Sequence, residues 1–197
     1  MLKRFFLLLA ILSIIISPCT ADPVREADEK SVVIPACLTD KKILVAYFSH
    51  TAHTKQLAEK IHDITKGTLH QIKPKKPYTD DHLSLLAQAT TEQHIDARPE
   101  IANTIKNMDQ YDVIFLGYPI WWGDVPMIIK TFLESYDLQG KTIVTFCTYG
   151  SSGFTNSTET IIKLAPKAHV IEGFGCIGDT VISQRKQIQA WIESLAF

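Results

Sequence analysis

The chain has 197 residues, 46% of them hydrophobic, and carries 20 basic against 21 acidic side chains for a formal charge of −1. That length suits one domain with a full apolar core. The near balance of charge argues against a nucleic-acid or anionic-membrane surface, either of which calls for a strongly basic face.

Lys3 and Arg4 precede an apolar run over residues 5–16, and Ser17, Pro18, Cys19, Thr20 and Ala21 follow. A short positive segment, about a dozen apolar residues and a small-residue exit is the order of a secretory signal peptide. Residues 1–21 are therefore read as a leader cleaved after Ala21, which sends the mature protein out of the cytoplasm, to a periplasm or the medium. The run is short for a membrane-spanning helix. An uncleaved membrane anchor and an acylated Cys19 are the alternatives. Loss of Lys3 and Arg4 leaves 18 basic residues against 21 acidic ones, a charge of −3. Residues 22–40 are polar, contain Pro23 and Pro35, and read as a linker to a domain at 41–197.

Residues 43–48 are an apolar run with the length and composition of a buried strand. Ser49, His50, Thr51, Ala52, His53 and Thr54 follow, and residues 55–66 then space Leu57, Ala58, Ile61 and Ile64 as one helical stripe ending at Gly67, a C-cap candidate. A helix N-terminus offers free amides and a positive dipole end, so it binds phosphate well. An ordinary N-cap is the competing reading, but it needs one hydroxyl, not three. His50 and His53 stand either beside such a phosphate or in solvent. Residues 68–73 alternate as an outer strand would. Residues 73–77 (KPKKP) form a basic turn, and residues 80–107 carry helical stretches broken near Pro99, on the rim of the expected site.

The most informative segment is 111–123, YDVIFLGYPIWWG. A buried-strand run at 113–116 ends at Gly117 and breaks at Pro119; then come Ile120, Trp121, Trp122 and Gly123. Ligands of open α/β sheets sit at the carboxyl ends of the strands, so two tryptophans delivered there point to a flat aromatic ligand. Plain hydrophobic packing is the competing reading. Residues 126–136 are helical with Pro at the first turn. Residues 141–153 (KTIVTFCTYGSSG) run as a strand into Thr148, Tyr149, Gly150, Ser151, Ser152 and Gly153. A helix at 156–164, a last strand at 170–178 and a helix at 183–195 with Ile188, Trp191, Ile192 and Leu195 inward complete the chain. Five strand–helix alternations imply a parallel sheet with right-handed crossovers. The sequence shows no Ser-His-Asp set, no carboxylate pair and no metal-ligand spacing.

Ser49-x-Thr51-x-x-Thr54 after a first strand resembles the phosphate loop of flavodoxins. Residues 119–123 resemble the flavin-binding loop after that family's third strand, and residues 148–153 the loop that wraps the isoalloxazine ring. The three segments come in the family's order, and the resemblance covers about residues 41–195. It is closest to single-domain flavodoxin-like proteins with a P-x-W-W-G loop. The resemblance implies an α/β, flavodoxin-like three-layer sandwich with a five-stranded parallel sheet of order 2-1-3-4-5, and FMN as cofactor. It implies that Ser49, His50, Thr51, Ala52, His53 and Thr54 surround the phosphate. Around the ring it implies Pro119, Ile120, Trp121, Trp122, Gly123, Thr148, Tyr149, Gly150 and Gly153. Trp122 would stack on one ring face, Trp121 would shield the edge, and Tyr149 or Phe154 would cover the other face. No GxGxxG fingerprint for a dinucleotide follows the first strand.

Two positions depart from the family pattern: Ala52, where glycine is usual, and His53, where asparagine is frequent. A left-handed backbone at 52 would cost alanine about 1 kcal/mol against glycine. The implied function is an oxidoreductase, an FMN-dependent enzyme taking electrons from NAD(P)H to a quinone or other small acceptor. A one-electron shuttle between redox proteins and a flavodoxin-like fold without cofactor are the alternatives. The weak net charge favours the enzyme over a steered shuttle, whereas free nicotinamide cofactors are scarce outside the cytoplasm. In the order 2-1-3-4-5 the strands bearing Cys147 and Cys176 are neighbours, as a disulfide or as two buried thiols.

Overall fold

The computed structural model describes residues 38–196. The leader at 1–21, the linker up to residue 37, Cys19 and Cys37 lie outside the described residues. Strands and helices alternate as β1 (Ile43–Tyr47), α1 (His53–Thr65), β2 (Thr68–Gln71), α2 (His82–His94), β3 (Val113–Pro119), α3 (Met127–Glu134), β4 (Thr142–Tyr149), α4 (Ser157–Leu164), β5 (His169–Ile177) and α5 (Arg185–Ser194). The sheet order is β2-β1-β3-β4-β5, and all four pairings are parallel, with Val45 opposite Leu69 and Phe115, and Phe115 opposite Val144. This is the flavodoxin-like α/β sandwich that the resemblance implies.

Both faces of the sheet are covered, so its strands are continuous apolar runs rather than alternating ones. Ile43, Val45, Tyr47, Val113, Phe115, Val144 and Phe146 pack with α1 and α5 on one face. Leu44, Ala46, Phe48, Ile114, Leu116, Tyr118, Ile143 and Cys147 pack with α3 and α4 on the other. Leu38, which the sequence reading leaves in the linker, is buried in the first of these layers. Among the described residues no helix is long and apolar enough to cross a membrane.

Several boundaries move from where the sequence puts them. β3 does not stop at Gly117 but runs on to Pro119. A Cβ at Gly117 would fall 2.1 Å from the Phe146 ring, so this glycine is a packing requirement inside a strand, not a break. Gly67 is not the left-handed cap of α1; Lys66 takes that conformation at φ 56°. Gly67 is needed because a Cβ there would lie 2.5 Å from Ile43. Within 80–107 only α2 is helical. The chain beyond it is held by an antiparallel bridge of Pro74 to Ile101 and by Arg98, whose guanidinium donates to both Glu134 carboxylate oxygens at 2.6 and 2.8 Å.

Candidate functional site

The turn after β1 leads directly into α1. Ala52 is the N-cap residue and sits at φ 69°, in the left-handed region, with no side-chain bond to the first-turn amides. The ordinary cap is therefore missing, and alanine carries the strain that glycine would avoid. The hydroxyls of the turn divide into three situations. Thr54 is buried, and its Oγ1 lies 2.8 Å from Thr148 Oγ1, tying the start of α1 to the end of β4. Thr51 Oγ1 lies 3.2 Å from His53 Nδ1. Ser49 Oγ is buried with no hydrogen-bond partner. Buried hydroxyls are almost always satisfied, and leaving one unmade costs about 1–3 kcal/mol. Two of the three expected hydroxyls thus have protein partners, and the third, on Ser49, has none.

Residues 121–124 close a two-residue hairpin. Trp121 N donates to Asp124 O and Asp124 N to Trp121 O, each at 3.0 Å. Trp122 and Gly123 at its tip have φ 52° and 74°, so this is a type I′ turn. Glycine takes such a conformation freely; tryptophan does so at a cost of about 1–2 kcal/mol. Trp122 is nevertheless 55% exposed, so packing does not explain why an indole is held there. Trp121 has the opposite role. Its ring meets Phe48 and Tyr78 edge-on at 5.5 and 5.2 Å and lies 6.3 Å from the His50 ring. The Tyr78 hydroxyl donates to Glu92 of α2; burial and that bond push its acidity well below an ordinary phenol's.

The loop after β4 braces this hairpin. Gly123 O accepts from Asn156 N at 3.1 Å and from Thr155 Oγ1 at 2.5 Å, and Asp124 Oδ2 accepts from Thr160 Oγ1 at 2.9 Å. Thr155 has φ 49°, an outlier for a β-branched residue. Tyr149 and Phe154 lie over Gly175, where a Cβ would come within 3.0 and 2.8 Å of their rings. Thr148, expected beside the ring, is buried and pairs with Thr54.

Between the two turns lies a cleft of about 290 Å³. Its lining combines His50 and Thr51 with Pro119, Ile120, Trp121 and Trp122, and with His82, Leu85, Leu86 and Ala89 of α2. Tyr149, Gly150 and Gly153 do not line it. A larger cavity of about 510 Å³, walled by Lys75, Tyr78, Glu92 and Arg98 among others, takes no residue from either turn.

Residues 42–195 match the family described as flavodoxin. The chain belongs to that family. Among solved structures, this flavodoxin-family chain is similar to a presumptive flavoprotein from Bacteroides eggerthii DSM 20697, with 38% identity over 80% of this chain and 99% of that one, at a TM-score of 0.71. A second, from Bacteroides uniformis ATCC 8492, shares 33% identity over 78% of this chain and 99% of that one, at a TM-score of 0.69. A flavoprotein from Lactobacillus acidophilus NCFM, solved in complex with FMN, shares 25% identity over 74% and 99%, at a TM-score of 0.59. No protein of curated function matches the chain.

In this flavodoxin-family chain Cys147 and Cys176 follow the second of the two readings: they are free, buried thiols and not a disulfide. Cys147 pairs in register with Gly175 and Thr148 with Cys176, so the two thiols point to opposite faces of the sheet. Burial pushes the Cys176 thiol up to about 11 and Cys147 higher still, the second thiol and Glu172 adding to the burial effect. His53 Nε2 lies 3.3 Å from Asp179 Oδ1. Asp179, Gly178, Tyr78 and the α2 wall at His82, Leu85, Leu86 and Ala89 were not legible as site residues. Each comes from a segment remote in sequence, with no motif of its own. Asp124 had a local cue, as the residue that completes W-W-G-D.

Proposed function

We propose that this chain is an FMN-dependent oxidoreductase that passes electrons to a small planar acceptor such as a quinone. In this reading the flavin phosphate is held at residues 49–54 and the ring lies against Trp122. One observation carries the cofactor: the buried, partnerless Ser49 hydroxyl beside a helix that has no side-chain cap. The FMN bound by the Lactobacillus relative supports the choice of flavin. FMN supplies the two-electron chemistry when bound. The chain's contribution is binding and orientation. Ser49 and the first-turn amides of α1 hold the phosphate, and Trp122 offers an indole face that the hairpin keeps exposed despite its strain. Asp124, Thr155 and Asn156 fix that hairpin.

The acceptor is assigned to the cleft under α2. Leu85, Leu86, Ala89, Ile120 and Trp121 give it apolar walls, and His50 and His82 give it imidazoles, the pattern of a pocket for a mostly apolar molecule with a polar edge. Reducing a quinone to its hydroquinone takes two electrons and two protons. A reduced flavin would supply both electrons and one of the protons, and His50 or His82, which line the cleft, would deliver the second proton to a carbonyl oxygen. The donor is proposed to be a reduced nicotinamide or a redox protein. The leader at 1–21 is proposed to be removed on export, giving Asp22 as the mature N-terminus; an intact Met1 or a lipid on Cys19 in the mass spectrum would replace export with membrane anchoring.

The test begins with denaturing the purified protein and chromatographing the released flavin. FMN is expected; FAD, or no flavin after incubation with excess FMN, overturns the cofactor. The reduced holoprotein is then mixed anaerobically with a soluble quinone. Rapid reoxidation is expected, slowed by Leu86→Glu at unchanged flavin content. A Leu86→Glu protein as fast as the parent moves the acceptor out of this cleft.

A further inference from the structure

Thr51, His53 and Asp179 form a row of hydroxyl, imidazole and carboxylate at the edge of the turn. Thr51 Oγ1 is 3.2 Å from His53 Nδ1, and His53 Nε2 is 3.3 Å from Asp179 Oδ1. Gly178 makes room for the ring, since a Cβ there would lie 2.5 Å from Nδ1. The imidazole is thus held at both nitrogens by partners from different parts of the chain. Asp179 is the carboxylate that the 3-10 turn at Gly178–Gln184 presents to it. On α1, Lys55 and Glu59 pair with each other at 3.8 Å, and Arg185 of α5 shares a surface cleft with Glu59, Lys60 and Asp63. His50, in the same turn, faces Asp80 at 3.9 Å, and the neutral Thr148 of β4 bonds the neighbouring Thr54.

The proton count of this row decides what Thr51 offers a ligand. With a neutral ring, Asp179 favours the proton on Nε2, so Nδ1 is an acceptor and takes the Thr51 O–H. Thr51 then shows an incoming phosphate only lone pairs. With a charged ring, Nδ1–H donates to Thr51 Oγ1, and the Thr51 proton is free to point at the anion. A bound phosphate dianion favours the charged ring twice, through the freed hydroxyl and through the added positive charge.

We propose that capture of the flavin phosphate on this turn is coupled to uptake of one proton by His53, which makes His53 a specificity residue for phosphorylated over unphosphorylated flavin. The inference rests on the cofactor reading above and deepens it. The proton comes from solvent and stays on the imidazole; no other bond forms or breaks. An asparagine in place of His53 would donate to Thr51 at every pH, so the coupling depends on the imidazole. Because the bound state carries the extra proton, FMN affinity is strongest at low pH. It weakens as pH rises through the range where the bound imidazolium loses its proton, with a limit of about tenfold per pH unit for one proton.

The test is calorimetric titration of the refolded apoprotein with FMN and with riboflavin at pH 7 and 8. Two non-phosphate buffers of different ionisation enthalpy are used, above the phosphomonoester's own second pKa of about 6. FMN binding is expected to take up a substantial fraction of a proton, and the FMN Kd to rise about three- to tenfold from pH 7 to 8. Riboflavin should show neither effect. His53→Asn should bind FMN without proton uptake and with a flat pH profile, and Asp179→Asn should reduce the uptake. Circular dichroism and melting curves check that both variants fold. No uptake in the parent, or equal uptake in His53→Asn, overturns the proposal while a preference for FMN over riboflavin keeps the cofactor reading. Equal binding of FMN and riboflavin by the parent at both pH values overturns both.

Discussion

Replacing Trp122 by glycine separates the cost of the hairpin from its purpose. Trp122 is 55% exposed, so the fold buries a little under half of its surface, or ~90 Å² if an indole carries ~200 Å². At ~25 cal/mol per Å² that burial is worth ~2 kcal/mol, an upper figure because unfolded chains are partly compact. Against it stands the left-handed backbone at φ 52°, whose relief by glycine returns ~1–2 kcal/mol, less ~0.4–1 kcal/mol for the greater freedom of glycine in the unfolded chain. The terms partly cancel, to a net loss of ~0.4–2 kcal/mol. Trp122→Gly should therefore lower the melting temperature of the apoprotein by only ~1–8 °C for a domain of this size. FMN binding should fare worse: stacking contributes ~0.5–1.5 kcal/mol beyond burial, so affinity should fall by ~two- to tenfold. The fluorescence of bound flavin should also recover once the indole that quenches it is gone. Trp121→Ala is the control. Trp121 packs edge-on against Phe48 and Tyr78, and truncating such an aromatic costs ~3 kcal/mol or more, with a smaller change in fluorescence. Urea melts of the apoproteins and fluorescence titrations with FMN measure both quantities. If Trp121→Ala unquenches the flavin and Trp122→Gly does not, the two roles are reversed; if neither does, the flavin does not lie against this turn.

Ser49→Ala should leave apoprotein stability equal or higher, because it removes a buried hydroxyl with no partner whose burial costs ~1–3 kcal/mol, yet it should weaken FMN more than riboflavin; equal losses for both ligands would show that Ser49 does not serve a phosphate. Gly117→Ala should prevent stable folding or lower the melting temperature severely, since its Cβ would enter the Phe146 ring at 2.1 Å in the middle of the sheet; a mild melt would mean that β3 and β4 can part without loss. Cys147 and Cys176 should resist iodoacetamide at pH 8 in the native protein and react on unfolding, because burial holds the Cys176 thiol up near 11 and Cys147 higher; mass mapping of the alkylated sites checks this.

The sequence by itself determined the architecture and pointed to the turns that carry the candidate site. Buried-strand runs, helical stripes and their five alternations dictate a parallel sheet, because such strands can be buried on both faces only with a helix between each pair. The turns at 49–54 and 119–123 are contiguous in sequence, so their chemistry was readable before any fold was known. Tertiary structure alone decided what each residue in them does. That Thr54 is taken up by Thr148 depends on where β4 ends beside α1, 94 residues along the chain. The same holds for His53 and Asp179, and for the α2 wall opposite the Trp turn. Gly117 and Gly67 read as breakers in one dimension and are contact requirements in three, imposed by Phe146 and Ile43. The fates of the two tryptophans could not be separated by their adjacency in sequence. A type I′ turn sends Trp121 inward to Phe48 and Tyr78 and holds Trp122 outward at positive φ, because the hairpin's own hydrogen bonds, braced from the loop after β4, fix the backbone more strongly than the indole's preference for burial.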